Sequence, residues 1–202
     1  MNGSALKYWL ALAAMLGTAY GMSTIWRYQQ RHAEAHAKAS AVHTPATPVS
    51  VTPFELTSQE GEPFDTALLK GQVWAASFFF TNCPAICWRL NRALADLQAQ
   101  MPQSKVHFVS ITCDPDNDTP AALAKYAAHF QADPARWTFL TGDLNKLRAV
   151  GQSFQVSLDK QLHSDRVFII DRTGKVRGNY RATEPDEVAR MKKRLAEVEA
   201  ES

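Results

Sequence analysis

The chain has 202 residues, 46% of them apolar and 21% charged, a globular balance that excludes wholesale disorder. Its 22 Lys and Arg face 20 Asp and Glu, a formal charge of +2, which argues against nucleic-acid binding through a broad basic face. Three cysteines are too few for a disulfide-built miniprotein, and one folded domain of this length can bury a sound core without one.

Residues 1–28 read as an N-terminal transmembrane anchor. No formal charge lies between Lys7 and Arg27, and the 19-residue stretch Tyr8 to Trp26 is long enough to span a bilayer as a helix. Tyr8 and Trp9 mark one end and Trp26 and Tyr28 the other, as interfacial aromatics do. The competing reading is a signal peptide, with Gly17-Thr18-Ala19 as a loose cleavage site. Lys7 on one flank and Arg27, Arg31 and Lys38 on the other leave the orientation open to charge arguments.

Residues 29–52 form an Ala/His/Pro-rich linker. The AEAHAKA portion can prolong a helix, whereas Pro45, Pro48 and Pro53 interrupt one. His32, His36 and His43 read as solvated linker histidines rather than a metal-collecting tract, since no thiol or carboxylate cluster joins them.

Residues 53–202 read as one domain. Phe54 to Phe64 suggests a β-hairpin turning at Gly61, and Val73 to Phe80 (VWAASFFF) a strand covered on both faces. Cys87, Leu90, Leu94, Leu97 and Met101 recur at helical spacing. Val106 to Cys113 is a second buried strand, and Thr119-Pro120 opens the next helix with a capping hydroxyl and a first-turn proline. Leu123, Tyr126, Ala127 and Phe130 form its inner stripe. A short strand at Trp137 to Leu140 precedes a third helix through Leu144, Leu147, Val150 and Phe154. Strands at Arg166 to Ile170 and Val176 to Tyr180 flank the turn Asp171-Arg-Thr-Gly174, and a last helix starts near Pro185. Alternating strands and helices predict an α/β domain, a mixed sheet with helices on both faces. The pattern is thioredoxin-like, with an added N-terminal hairpin and a helix inserted in the middle.

The strongest chemical signal is Cys83-Pro84-Ala85-Ile86-Cys87, between a buried strand and a helix. Pro84 suits the first helical position, which sets Cys83 at or beside the N-cap and Cys87 about one turn on. Free N–H groups and the helix dipole favour thiolates there. Two soft sulfurs so placed can close a disulfide or chelate a soft metal such as Cu(I). His163, in the loop before strand RVFII, is the candidate third ligand, since in a thioredoxin-like sheet that loop enters beside the active-site helix. Two thiolates and an imidazole suit three-coordinate Cu(I), with Cu(II) as the alternative.

At FFFTNCPAIC (78–87), CDPDNDTP (113–120), FLTGD (139–143) and LHSDRVFIID (162–171) the chain resembles the Sco/SenC family of membrane-anchored, thioredoxin-like copper chaperones. The resemblance spans roughly Phe54 to Tyr180. It implies that Cys83, Cys87 and His163 bind copper. It also implies delivery of copper, or of reducing equivalents, to the dinuclear copper centre of cytochrome c oxidase or to another cuproenzyme. It places the domain on the periplasmic, extracytoplasmic side of the membrane. Two positions depart from the family's habit: Ala85 stands where an acidic residue is common, and Trp88 where a second proline is. Trp88 reads as an apolar lid over the site or as a docking anchor.

The remaining polar groups near the motifs read more plainly. Cys113 is expected to be a packed thiol, a disulfide with Cys83 or Cys87 being the alternative. Asp114, Asp116 and Asp118 mimic the start of a calcium loop, but Thr119 and Lys125 stand where Gly and Glu are needed. Asp118 and Thr119 are read instead as caps of the following helix, with a buried loop network as the alternative. Arg166 either sits near the thiols or makes a surface ion pair.

A thiol–disulfide oxidoreductase is the second function, with Cys83 and Cys87 as its catalytic pair and a disulfide-exchange partner. Three residues separate these cysteines where general thioredoxin-fold catalysts have two. The loop that would carry their cis-proline presents His163, which favours copper. A peroxiredoxin needs Thr three residues before its reactive cysteine, whereas Thr81 lies two before Cys83. The expectation is a metallochaperone rather than an enzyme.

Overall fold

The structure is a computed structural model that describes residues 20–27, 49–158 and 164–201. The chain divides into two units, residues 1–41 and 42–202. In the first, residues 20–27 are helical. Among the described residues no helix is long and apolar enough to cross a membrane. Most of the expected anchor and His32, His36 and His43 of the linker lie outside the described residues.

The second unit holds strands β1 (Glu55–Ser58), β2 (Pro63–Asp65), β3 (Trp74–Phe79), β4 (His107–Thr112), β5 (Trp137–Thr141), β6 (Arg166–Ile170) and β7 (Val176–Arg181). Its helices are α1 (Ile86–Gln100), α2 (Pro120–His129), α3 (Leu144–Ser153) and α4 (Pro185–Ala200). The seven strands form one sheet in the order β2-β1-β5-β4-β3-β6-β7. The pairs β3·β4 and β4·β5 are parallel, and the other four neighbours are antiparallel. This is the mixed, helix-flanked sheet expected of a thioredoxin-like domain, and the hairpin β1–β2 extends it beyond β5. Gly61 turns that hairpin with φ +84°, where a side chain would be strained.

Strand β3 lies inside the sheet between β4 and β6, and every one of its residues is buried. Its neighbouring phenylalanines point to opposite faces, as the two-residue period demands. Phe78 meets Phe154 and Phe168 with ring centroids 5.4 and 6.3 Å apart, while Phe79 meets Tyr126 and Phe139 at 5.2 and 5.5 Å. Both faces of the sheet therefore carry aromatic core, which explains why β3 reads as a continuous apolar run. Helix α4 buries Met191, Leu195 and Val198, and Arg172 donates to the carbonyls of Val198 and Glu199 at its C-terminus.

Residues 49–52, which composition groups with the linker, pack with this domain. Val51 is buried and its N–H donates to Gly174 O at 2.8 Å, and Ser50 bridges Lys175. The local proline spacing hides this pairing, because its partner lies more than a hundred residues along the chain.

The topology sets the site. Strands β3 and β4 are parallel and end at the same edge of the sheet. Strand β6 runs against β3 and begins at that edge, with Val167 opposite Ser77. Three chain segments therefore converge there: the loop after β3, the loop after β4 and the start of β6.

Candidate metal centre

The loop after β3 carries Cys83, and α1 carries Cys87. Helix α1 begins at Ile86 with Ala85 as its N-cap, so Pro84 is not the first helical residue and Cys83 lies two residues before the cap. No side-chain oxygen caps this helix. Instead the Cys83 sulfur accepts the backbone N–H of Cys87 at 3.3 Å. A sulfur thus satisfies one of the N–H groups that a helix start leaves unpaired. The loop is tied back by the Cys83 N–H, which donates to Phe80 O at 3.3 Å.

The two thiols differ in access. Cys83 is 8% exposed, Cys87 is fully enclosed, and neither is in a disulfide. Burial pushes the Cys87 thiol well above its ordinary value, and its contact with the Cys83 thiol adds to that. A hydrogen bond from the Phe80 backbone pulls the other way. The helix start alone would favour a thiolate, but desolvation outweighs it here. That desolvation favours the protonated form of Cys87.

Cys113 lies just beyond β4, 1% exposed. Its N–H and its thiol both donate to Phe79 O, at 2.9 and 3.3 Å. Burial, aided by the carboxylates of Asp118 and Asp114, pushes this thiol up to about 12. It is a packed thiol and makes no disulfide.

Asp118 is not the cap of α2. Thr119 is, its hydroxyl accepting from Ala122 N. The Asp118 side chain turns inward and is fully enclosed. It accepts the Thr81 N–H at 3.1 Å and the hydroxyls of Thr81 and Thr112. Thr81 stands two residues before Cys83, and Thr112 directly precedes Cys113. One carboxylate thus clamps the loop after β3 to the end of β4. Burial raises its pKa, and the threonine hydrogen bonds oppose that rise. Sequence patterning cannot choose between a cap and a clamp when adjacent residues can both cap.

One further residue escaped the sequence reading. Asn91 is fully buried in α1, one turn after Cys87. Its amide nitrogen donates to Cys87 O at 2.9 Å and to the Tyr126 hydroxyl at 3.2 Å. The signal was present, since a polar residue stands beside Leu90 and Leu94 on an otherwise apolar face.

At the surface, Trp88 remains 46% exposed beside the thiol pair, its ring 6.3 Å from Phe130. Arg166 is exposed and donates to the neutral Asn179 at 2.7 Å, and among the described residues it makes no ion pair. Asp165 is buried and takes the Thr183 hydroxyl and, at 3.3 Å, Arg181 Nε. It anchors the chain just before β6. His163 lies outside the described residues. Among the described residues, no three His, Cys, Asp or Glu side chains are arranged to hold a metal ion.

A thioredoxin-like sheet with a thiol pair at the strand-to-helix turn defines a class of sulfur-based redox and metal-handling proteins. The SCO1/SenC family model matches residues 42–198, and the chain belongs to that family. It is similar to the SCO1 protein homolog of Bacillus subtilis, 32% identical over 145 residues, covering 66% of this chain and 75% of the other. Among solved structures it resembles BsSco, described through a disulfide switch and as a member of the Sco family of cytochrome c oxidase assembly proteins. That match has a TM-score of 0.70 at 28% identity and covers 77% of this chain and 96% of the other. It also resembles yeast Sco1 with copper bound, with a TM-score of 0.63 at 25% identity over 78% of this chain and 97% of the other.

Proposed function

We propose that this chain is a copper metallochaperone of cytochrome c oxidase assembly, holding the metal through Cys83, Cys87 and His163. The observation that carries this is the thiol pair itself. Two buried cysteines meet at the start of α1, Cys83 slightly exposed and Cys87 fully enclosed. The family membership and the copper-bound yeast relative support copper as the cargo. Soft sulfur ligands favour Cu(I). His163 is the proposed third ligand because β6 starts at the edge where the cysteines lie, and the loop before β6 carries that histidine.

The asymmetry of burial suggests an order of exchange. Cys83 meets the incoming metal first, Cys87 closes on it from below, and the thiol protons leave. On release a cysteine of the acceptor replaces the more accessible Cys83 first, and Cys87 follows. The proposed acceptor is the copper-bearing subunit of cytochrome c oxidase or another cuproenzyme. Residues 1–28 are the proposed single-pass anchor and residues 29–48 the tether, with the domain on the extracytoplasmic side.

A second reading has one specific support, the contact between the two thiols together with the disulfide switch described for BsSco. In it Cys83 and Cys87 reduce the cysteines of a copper-site target, a step that prepares them for metal.

The deciding experiment titrates the reduced, detergent-solubilised chain with Cu(I) against a competing chelator, alongside His163→Ala. One tightly held copper per chain, weakened in the variant, is the expected result. Absence of copper retention with normal dithiol–disulfide cycling leaves the reductase. Tight binding indifferent to His163 keeps copper and removes the third ligand.

A further inference from the structure

We propose that the exposed start of α1 and the neighbouring face of α2 form the docking surface for the copper acceptor, with Trp88 as its anchor, and that the acceptor meets it with an acidic surface around an apolar recess. The inference rests on the copper-delivery reading and names the chemistry of the partner which that reading requires.

The apolar part of the surface lies along the thiol motif. Pro84, Ala85 and Trp88 are exposed and Ile86 is half-buried, while Cys83 and Cys87 among them are buried. In the domain, Trp88 and Leu68 are the exposed large apolar side chains among the described residues. Leu68 lies ahead of β3, whereas Trp88 directly follows Cys87. The Trp88 ring is braced from one side. It lies against Phe130 with centroids 6.3 Å apart, and Phe130 is met in turn by Tyr126 at 5.0 Å and His129 at 5.3 Å. A large aromatic that is held on one side and open on the other loses little entropy on binding, which is the character of an interface hot spot.

The charge around this anchor has one sign. Residues 84–95 and 119–132 carry Arg89, Arg92 and Lys125 and no Asp or Glu. Trp88 meets Phe130 and Asn91 meets Tyr126, so these two stretches lie side by side. Arg89 donates to a neutral carbonyl, Thr183 O, at 3.3 Å, and Lys125 is exposed. Arg92 meets Asp96 at 3.5 Å, but both side chains of that pair are more than half exposed, and water weakens it. Cations around an aromatic centre complement an acidic partner. A second copy of this chain would set the same cations against each other. Seating Trp88 brings the acceptor to the thiol pair, where Cys83 is the more accessible sulfur.

The test uses the full chain in detergent, loaded with Cu(I). The probe is the reduced, copper-free, soluble copper-bearing domain of the cytochrome c oxidase subunit from the same organism. The variants are Trp88→Ala and the double variant Arg92→Glu with Lys125→Glu, which leaves Arg89 in its bond to Thr183 O. Copper transfer is followed against probe concentration at low and high salt, and Cu(I) affinity is measured separately with a small chelator. Trp88→Ala should raise the half-saturating probe concentration about tenfold or more, with Cu(I) affinity within about twofold of the parent. The charge reversal should raise it about tenfold at low salt and remove most of the parent's salt dependence. Unchanged half-saturation in both variants overturns the docking surface and leaves copper delivery in place. So does a Trp88→Ala loss that appears equally with the small chelator, which makes Trp88 a lid over the metal. A parent that yields copper to the chelator but neither binds nor loads the probe overturns the acceptor proposed here and leaves copper binding standing. If the parent holds no copper, the copper reading fails, and calorimetric binding of the probe to the reduced, metal-free chain still decides the surface.

Discussion

Helices α1 and α3 both start just after a strand, yet they begin in different ways. Helix α3 is closed by the carboxylate of Asp143, which accepts the N–H groups of Asn145 and Lys146 at 2.9 and 3.1 Å. Helix α1 has Ala85 at that position and no oxygen cap, and the Cys83 sulfur accepts the Cys87 N–H instead. An oxygen cap is the stronger acceptor and serves stability. A sulfur cap is weaker but can exchange its hydrogen bond for a metal or for a second sulfur. The contrast shows where this domain gives up ordinary stabilisation. The loss is compensated from behind, by Asp118 clamping the loop and by Asn91 holding the first turn.

The sharpest way to break the comparison is Cys83→Ser. The hydroxyl can still accept the Cys87 N–H, so folding should be nearly unchanged, while copper retention falls by roughly a hundredfold or more as a soft ligand becomes hard. Chelator competition and thermal melts on the same sample check both halves. A large loss of stability instead would mean that the sulfur is mainly a structural cap.

Asp118→Ala tests the compensating clamp. It leaves the Thr81 N–H and the hydroxyls of Thr81 and Thr112 without their acceptor, and urea unfolding should show a loss of roughly 2–3 kcal/mol. Cu(I) affinity should fall with it, because the loop bearing Cys83 is released.

Gly151→Ala tests the far side of the site. A Cβ there would lie 2.6 Å from Leu158 Cγ and 2.8 Å from Val156 O. Both neighbours belong to the segment that leads toward His163. Overpacking predicts a loss of about 1–3 kcal/mol in the same unfolding assay. Asp143→Ala, by contrast, should cost about 1 kcal/mol and leave copper affinity untouched.

The smallest effect is a pH slope remote from the thiols. His107 stacks on Phe64 and its Nε2 meets the Thr138 hydroxyl at 2.9 Å. Burial lowers its pKa, and Asp133 partly offsets this. The folded state then binds this proton less readily than the unfolded chain. Stability is therefore retained above the ordinary histidine value and falls as pH drops through it toward the lowered one. Melts across that window, compared with His107→Phe, should show the parent's slope and a flatter line for the variant.

The legibility of this molecule follows from the range of each signal. Strand β3 was readable because its burial on both faces leaves an unbroken apolar run. Helix α2 was readable because Thr119 and Pro120 act within one turn. The thiol pair was readable because both cysteines fall within five residues. Asp118 was legible as a cap or as part of a buried loop network, but its partner was not, since Thr81 lies 37 positions away. Asn91 gave only a polar break in an apolar stripe, and its partner Tyr126 is 35 positions on.

Hydrophobic period, caps and turn residues act over a few residues, and they determined the elements, their order and the candidate ligands Cys83 and Cys87. Tertiary packing decided the rest: the depth difference between the two thiols, the enclosure of Cys113, the clamp at Asp118 and the bracket at Asn91. Those depend on which strand ends meet at one edge of the sheet. Sequence spacing carries no measure of that meeting, because desolvation and long-range hydrogen bonds arise only once the layers close.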